Sequence, residues 1–350
     1  MKLFKDLSLE IADTNSYHWN FDRYEEEDGN ILAVGYNSLN SNRLNYLRET
    51  EEAKIILFNN WAPCEYAQRN IKKGINSIHS EDKFDYILTI CKYTAKWRNL
   101  NSDKRRYIHT FYPFDVGIIP PKMNKKYDAI YHGGIHGREH VMAMKAIMET
   151  NYRFSSLDYG INRLTRRYLR HATDINLPFK EKIERIAECK ISICFNLIHV
   201  SYKHYQNIMA YRHELPVGSE FFDGLELHHI LKNYPWVGVL PQFKTRVHEA
   251  AISRCVNLVY RDPWNVIEDY YETDKEFIYF ENEEDLREKI QYILKNWDGD
   301  HIQELLESAY QKAMRYTTKN FMKIYANIVS ADLPTQCGDF SDDHFWLKQY

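Results

Sequence analysis

Three short segments of this sequence bear on one ligand, an anion joined to a diol. PQFKTRVHEAA (241 to 251) sets Lys244, Arg246 and Glu249 at the start of a helix-like run. Arg246 and Glu249 are three apart, so on a helix they share a face. A cation beside a helix N-terminus can bind a diphosphate, and a carboxylate on that face can accept two hydrogen bonds from a ribose diol. GGIHGRE (133 to 139) is a glycine-rich strand-to-helix turn with Arg138 at its tip, and Gly133 and Gly134 there leave backbone N–H groups open to an anion. NLVYRDPWNVIEDYY (257 to 271) is a strand and turn that should lie beside the first segment. Each has a plain alternative. An Arg–Glu pair at this spacing is usually a solvated surface pair, and a lone glycine turn before a helix is usually a connection. Their joint occurrence, in order within one α/β unit, favours a binding site.

Other reactive residue types carry less. His132, His136 and His140 have a spacing that would align them on a helix, but Gly133, Gly134 and Gly137 interrupt it, so they read as a polar loop lining a cleft. His228 and His229 point to opposite sides of whatever element holds them, and no metal is assigned. The six cysteines (64, 91, 189, 194, 255 and 337) form no CxxC pair and read as reduced, mostly buried thiols.

The elements that must position these residues alternate between strand and helix. A possible strand at Ile31 to Gly35 precedes a clearer one, KIILF (54 to 58), which runs into the polar, aromatic loop NNWAPCEY. Open α/β sheets build sites at such strand ends. DYILTI (85 to 90) and IHTFYPF (108 to 114) follow, and VGIIPPKMNKK marks an interdomain linker by its Pro and Lys content. Beyond it the pattern restarts: strand YDAIYHGG (127 to 134) ending in glycines, helix REHVMAMKAIMETN, a helix from LPFKEKIERIAE with Pro178 near its start, and ISICFNLI as one buried strand. EFIYF, an acidic helix start and an amphipathic helix close this half. The alternation implies a parallel, doubly wound sheet in each half. The expected domains are residues 1–120, residues 121–328, and a tail at 329–350 that packs back on the first.

A chain of 350 residues is long enough for two cores, and 44% hydrophobic with 27% charged residues is a globular balance. The net charge of -3 argues against a surface that is polyanion-binding throughout, while leaving room for a local basic groove. Charges scattered through MKLFKDLSLEIAD argue against a secretory signal, and no apolar run reaches bilayer length. The protein reads as soluble and cytoplasmic (host cytoplasm if viral).

At the C-terminal segments a family resemblance emerges. The run from PQFKTRVHEAA to EKIQYIL resembles the nucleotide-sugar half of GT-B glycosyltransferases, in which a Glu at a helix start holds the ribose; Glu249 matches it. The R-V-x-E of Arg246, Val247 and Glu249 is similar to a segment of phage DNA β-glucosyltransferases. So is the YGG…RE turn of Tyr131, Gly133, Gly134, Arg138 and Glu139. The likeness covers roughly residues 127 to 325. It implies two Rossmann-like domains facing across a cleft, Arg138 and Arg246 on a pyrophosphate, and Glu249 on a ribose. Pro241 stands where many retaining members carry a second Glu, so stereochemistry stays open.

An inverting transfer needs a base within reach of the acceptor hydroxyl. Glu65 in NNWAPCEY and Asp115 after YPF are the candidates, each with the alternative of a surface carboxylate. The resemblance implies a nucleotide-sugar donor, a UDP-sugar first, and no required metal, with an assisting Mg or Mn left open. The acceptor reads as a glycan hydroxyl. Duplex DNA with hydroxymethylated bases is the alternative, because KYTAKWRNLNSDKRRY (92 to 107) and NRLTRRYLRHA (162 to 172) interleave cations and rings. A scaffold that binds nucleotide sugars without turnover, and a sugar-nucleotide epimerase, are the rival classes.

Overall fold

The computed structural model describes residues 85–93, 95, 107–201, 205, 206, 209 and 237–321, and the strand backbone at 31–34 and 55–59. The chain divides into two compact units. One comprises Met1–Gly117, Ser201–Leu225 and Tyr316–Tyr350; the other comprises Ile118–Val200 and Glu226–Arg315.

In the first unit, β1 (Ile31–Val34), β2 (Ile55–Asn59), β3 (Tyr86–Thr89) and β4 (Tyr107–His109) form a parallel sheet in that order. Ile87 and Leu88 are fully buried. The strand expected through IHTFYPF stops at His109. Phe111 instead packs its ring on Tyr316 (centroids 5.2 Å apart) and Phe321 (5.8 Å), and Phe114 exchanges backbone hydrogen bonds with Tyr316 and Thr318.

The second unit contains β5 (Tyr127–His132), β6 (Tyr152–Ser156), β7 (Asp174–Ile175), β8 (Cys189–Cys194), β9 (Leu197–Ser201), β10 (Val237–Pro241), β11 (Val256–Tyr260) and β12 (Ile278–Phe280). β9 and β10 pair separately. Among the described residues, the others make a parallel sheet in the order β12-β11-β8-β5-β6-β7. Its strands are short apolar runs because helices cover both faces of such a sheet. Ala129, Ile130, Ile191, Ile193, Leu258 and Val259 are all at 0% exposure. Strand order runs outward in one direction from β5 and in the other from β8. The crossover direction therefore reverses between them, which in open α/β sheets is where a crevice forms at the carboxyl ends.

Among the described residues, the helices of this unit are α1 (Arg138–Ile147), α2 (Arg163–Tyr168), α3 (Phe179–Ala187), α4 (Arg246–Ile252), α5 (Glu283–Lys295) and α6 (Asp300–Ala313). Pro178 is the N-cap of α3, and its missing N–H costs the helix nothing there. Asn282 caps α5, its side-chain oxygen accepting from the Glu284 and Asp285 N–H groups at 3.0 Å, and Glu283, Glu284 and Asp285 complement the helix dipole. Cys189 and Cys255 sit in a core cluster with Ile130, Ile183, Ile186 and Ala250. Burial pushes the Cys194 thiol up to about 12, so these residues act as small apolar groups. The single strand expected for ISICFNLI is two: β8 ends at Cys194, Phe195 and Asn196 turn, and β9 begins at Leu197. Among the described residues, no helix is long and apolar enough to cross a membrane.

Candidate functional site

At the carboxyl end of β5 the chain needs glycine at Gly133 for two reasons. Its φ is 131°, a region closed to most side chains, and a Cβ there would lie 2.6 Å from Arg246 Cζ. The Arg246 guanidinium thus occupies the space that a side chain at position 133 would fill. The turn that follows is held from both sides. The Tyr131 hydroxyl donates to the Gly134 carbonyl at 2.7 Å, and the buried Thr165 hydroxyl accepts from Ile135 N at 2.8 Å and donates to Ile135 O at 3.0 Å.

Arg246 is brought there from the neighbouring strand. Where β8 ends, buried Asn196 accepts from Gln242 N with its carbonyl (2.8 Å) and from Lys244 N with its side chain (3.0 Å), which fixes the approach to α4. From β11, the Asn257 amide donates to Val247 O at 3.1 Å, and the Cys194 thiol donates to Asn257 Oδ1 at 3.4 Å. Arg246 is half-buried and hydrogen-bonds the Tyr131 hydroxyl, while burial pushes that phenol up to about 12. The phenol therefore stays neutral and serves to aim the guanidinium.

Glu249 follows one turn along α4 and is 3% exposed, so it is not half of a solvated surface pair. Its Oε1 accepts from Lys182 Nζ of α3 at 2.9 Å and from Thr245 Oγ1 at 3.2 Å, and its Oε2 stands 3.5 Å from His132 Nε2. Desolvation holds the His132 imidazole well below its ordinary pKa, outweighing the pull of Glu249, and Lys182 and Arg246 lower it further. His132 is accordingly neutral, and Lys182 is the charge partner of Glu249. Sequence reasoning missed Lys182: it lies 67 residues away on another helix, and no local spacing marks it.

The three histidines of the glycine turn separate. His132 is buried at the strand end, His140 is buried on α1, and His136 is exposed between them. Its Nδ1 is 2.8 Å from the Asn162 amide nitrogen. Although the residue keeps an exposed edge, desolvation of its ring by the packed surroundings, with the nearby His199, Arg246 and Lys244, pushes its pKa down to about 4. Also unanticipated is His199 on β9, whose Nε2 lies 3.4 Å from Glu139 Oε2.

The remaining expected residues fall as follows. Arg138 is exposed in the first turn of α1. The Lys244 ammonium donates to Gln242 Oε1. Pro241, in the place of the second family Glu, closes β10. Asp115 belongs to the first unit, where its buried carboxylate accepts from Gly117 N and desolvation raises its pKa. Glu65, His228, His229 and most of 92–107 lie outside the described residues.

Comparison with known proteins bears on the fold and on the segment around α4. Residues 224–324, which include α4, match the family model described as glycosyl transferase-like. No curated protein matches the chain in sequence. The crystal structure of HepE from Anabaena in complex with UDP-glucose superposes with a TM-score of 0.53 at 8% identity, covering 86% of this chain and 79% of HepE. The structure of TarM gives 0.48 at 10% identity over 86% of this chain and 55% of TarM, so the chain spans about half of that protein. T4 phage BGT with UDP-glucose gives 0.45 at 12% identity over 94% and 93%. With its parallel α/β sheets, the chain shares the GT-B fold of HepE, and the glycosyl transferase-like match falls on residues 224–324.

Proposed function

We propose that the protein transfers a sugar from a nucleoside-diphosphate sugar to an acceptor hydroxyl, with the donor seated where β5 and β8 end. The observation that carries this reading is the Arg246 guanidinium lying on the bare Cα of Gly133, with Glu249 buried one turn behind it. Arg246 is assigned to the diphosphate, whose charge grows as the sugar leaves; a guanidinium already aimed by Tyr131 needs little reorganisation to stabilise it. The N-terminus of α1, which has no side-chain cap hydrogen bond, is assigned to the same anion, and Arg138 and Lys244 are assigned to its outer oxygens. Glu249, its buried charge compensated by Lys182, is assigned to the ribose diol.

UDP-glucose in the HepE complex supports a UDP-sugar as the first donor to test. Asp115, with its raised pKa, and Glu65 are retained as the proposed bases on the acceptor side. A glycan hydroxyl in the cytoplasm is the proposed acceptor. A second reading, duplex DNA, has one observation in its favour. Arg163, Arg166, Arg167 and Arg170 are exposed at helical spacing on α2 and the turn after it, beside Tyr159 at 66% exposure.

The test is a thermal-shift screen of UDP-, GDP-, ADP- and CMP-sugars, followed by assay of free nucleoside diphosphate. Stabilisation by at least one donor, with slow hydrolysis abolished in Glu249→Ala and binding reduced in Arg246→Ala, is the expected result. Binding without turnover would make the protein a nucleotide-sugar receptor, interconversion of free UDP-sugars would make it an epimerase, and no stabilisation by any donor would remove the reading. For DNA, affinity that does not fall with rising salt, or no affinity, removes the second reading.

A further inference from the structure

Behind the glycine turn, α1 directs Glu139 and His140 inward, and neither has a task in donor binding. They are 2% and 3% exposed, and β9 brings His199 to them with its side chain 7% exposed. One ligand atom from each of the three lies within 4.8 Å of the others. The His140 ring rests on Phe195 (4.3 Å between centroids) and faces His199 at 5.0 Å. Its Nδ1 is buried without a hydrogen-bond partner among the described residues, an unusual state for such an atom. The chain also makes room for the cluster: a Cβ at Gly137 would lie 2.6 Å from Glu139 Oε2 and 2.9 Å from His199 Cδ2.

We propose that Glu139, His140 and His199 bind a divalent transition-metal ion of the zinc type. Two imidazoles and one carboxylate form a donor set that suits zinc, iron, cobalt or manganese, whereas magnesium and calcium select oxygen ligands. Three protein ligands leave a coordination position for water or a ligand oxygen. At metal–ligand distances of about 2.0–2.2 Å the three atoms must draw somewhat closer than they stand here, a movement that side-chain rotation supplies. The ion would tie β9 to the first turn of α1, directly behind the glycine turn. His136 is a neighbour of this site and not a ligand. Its ring stacks on His199 at 6.0 Å, but its Nδ1 takes the Asn162 amide, whose oxygen is committed to Thr165 N at 2.8 Å.

The experiment titrates the chelator-treated full chain with Co2+, read by its visible d–d bands, and then displaces the cobalt with Zn2+. One equivalent should bind with the absorption of a four- or five-coordinate ion. His140→Ala, His199→Ala and Glu139→Gln should each weaken binding by about ten-fold or more, and His136→Ala should leave it near that of the parent chain. Circular dichroism of the metal-free variants checks folding, and His140→Gln or His199→Gln replaces any alanine variant that fails. Absence of the cobalt spectrum, or affinity unchanged in all three ligand variants, overturns the proposal. Because bound metal is the readout, failure here leaves the donor reading standing, and failure of the nucleotide screen leaves this one standing.

Discussion

At the scale of single residues, the site rests on contacts that tolerate little change. Gly133→Ala would add a Cβ against the Arg246 guanidinium in a backbone region unfavourable to alanine. We expect a loss of about 1–3 kcal/mol in urea unfolding, together with weakened UDP binding by calorimetry, because Arg246 must move. A variant with parent-like affinity would show that Arg246 is not aimed from this surface. Glu249→Gln leaves the Lys182 ammonium, 17% exposed, against a neutral amide. Water reaches Lys182, so the expected loss of about 1–3 kcal/mol is smaller than for a wholly buried pair. Donor-dependent stabilisation should vanish with it. Gly133, Arg246 and Glu249 were legible in the sequence because each lies in a short run whose spacing has a chemical meaning. Lys182, Asn196 and His199 were not, since each reaches the cluster through tertiary packing that no local pattern encodes.

Among elements, apolar runs gave away the strands, and their ends depended on side chains facing elsewhere. ISICFNLI is continuous in hydrophobicity, yet it breaks at Phe195 and Asn196, because Asn196 is needed to hold the approach to α4. Polar residues inside apolar runs thus marked structure that periodicity alone smooths over. α4, with Val247 and Ala250 through Ile252 buried, was visible as a helix and is shorter than its pattern, ending at Ile252 before Arg254 takes a φ of 51°. Thr165 of α2 is one link between elements at the glycine turn, and no local spacing marks it. Thr165→Val would leave Ile135 N and O without their partner inside the protein, an expected loss of about 1–3 kcal/mol. The Gly134 carbonyl lies in the same turn, so nucleotide affinity should fall in parallel. Stability lost with affinity intact would show the turn to be positioned independently of α2.

For the molecule as a whole, alternation of strands and helices disclosed two parallel sheets, while the order β12-β11-β8-β5-β6-β7 emerged only from pairing. That order, which no motif discloses, sets β5 beside β8 and so brings Gly133 to Arg246. It also buries polar residues beneath the crevice, and this has a consequence for acid stability. His248, hydrogen-bonded through Nδ1 to the Tyr271 hydroxyl at 2.7 Å, has its pKa pushed down to about 3 by burial, and His132 is held well below 6.5 by the same cause. Unfolding returns both to about 6.5. Below that pH the unfolded chain binds more protons than the folded one, so stability is complete above about 6.5 and falls as pH drops toward about 3. Each histidine should steepen the fall by up to about 1.4 kcal/mol per pH unit. Urea midpoints between about pH 7 and about pH 5 measure the slope. His248→Asn, which keeps an acceptor for Tyr271 and removes one titrating group, should flatten it by that amount. An unchanged slope would mean that His248 takes up its proton without unfolding, and that water reaches the interior beneath α4.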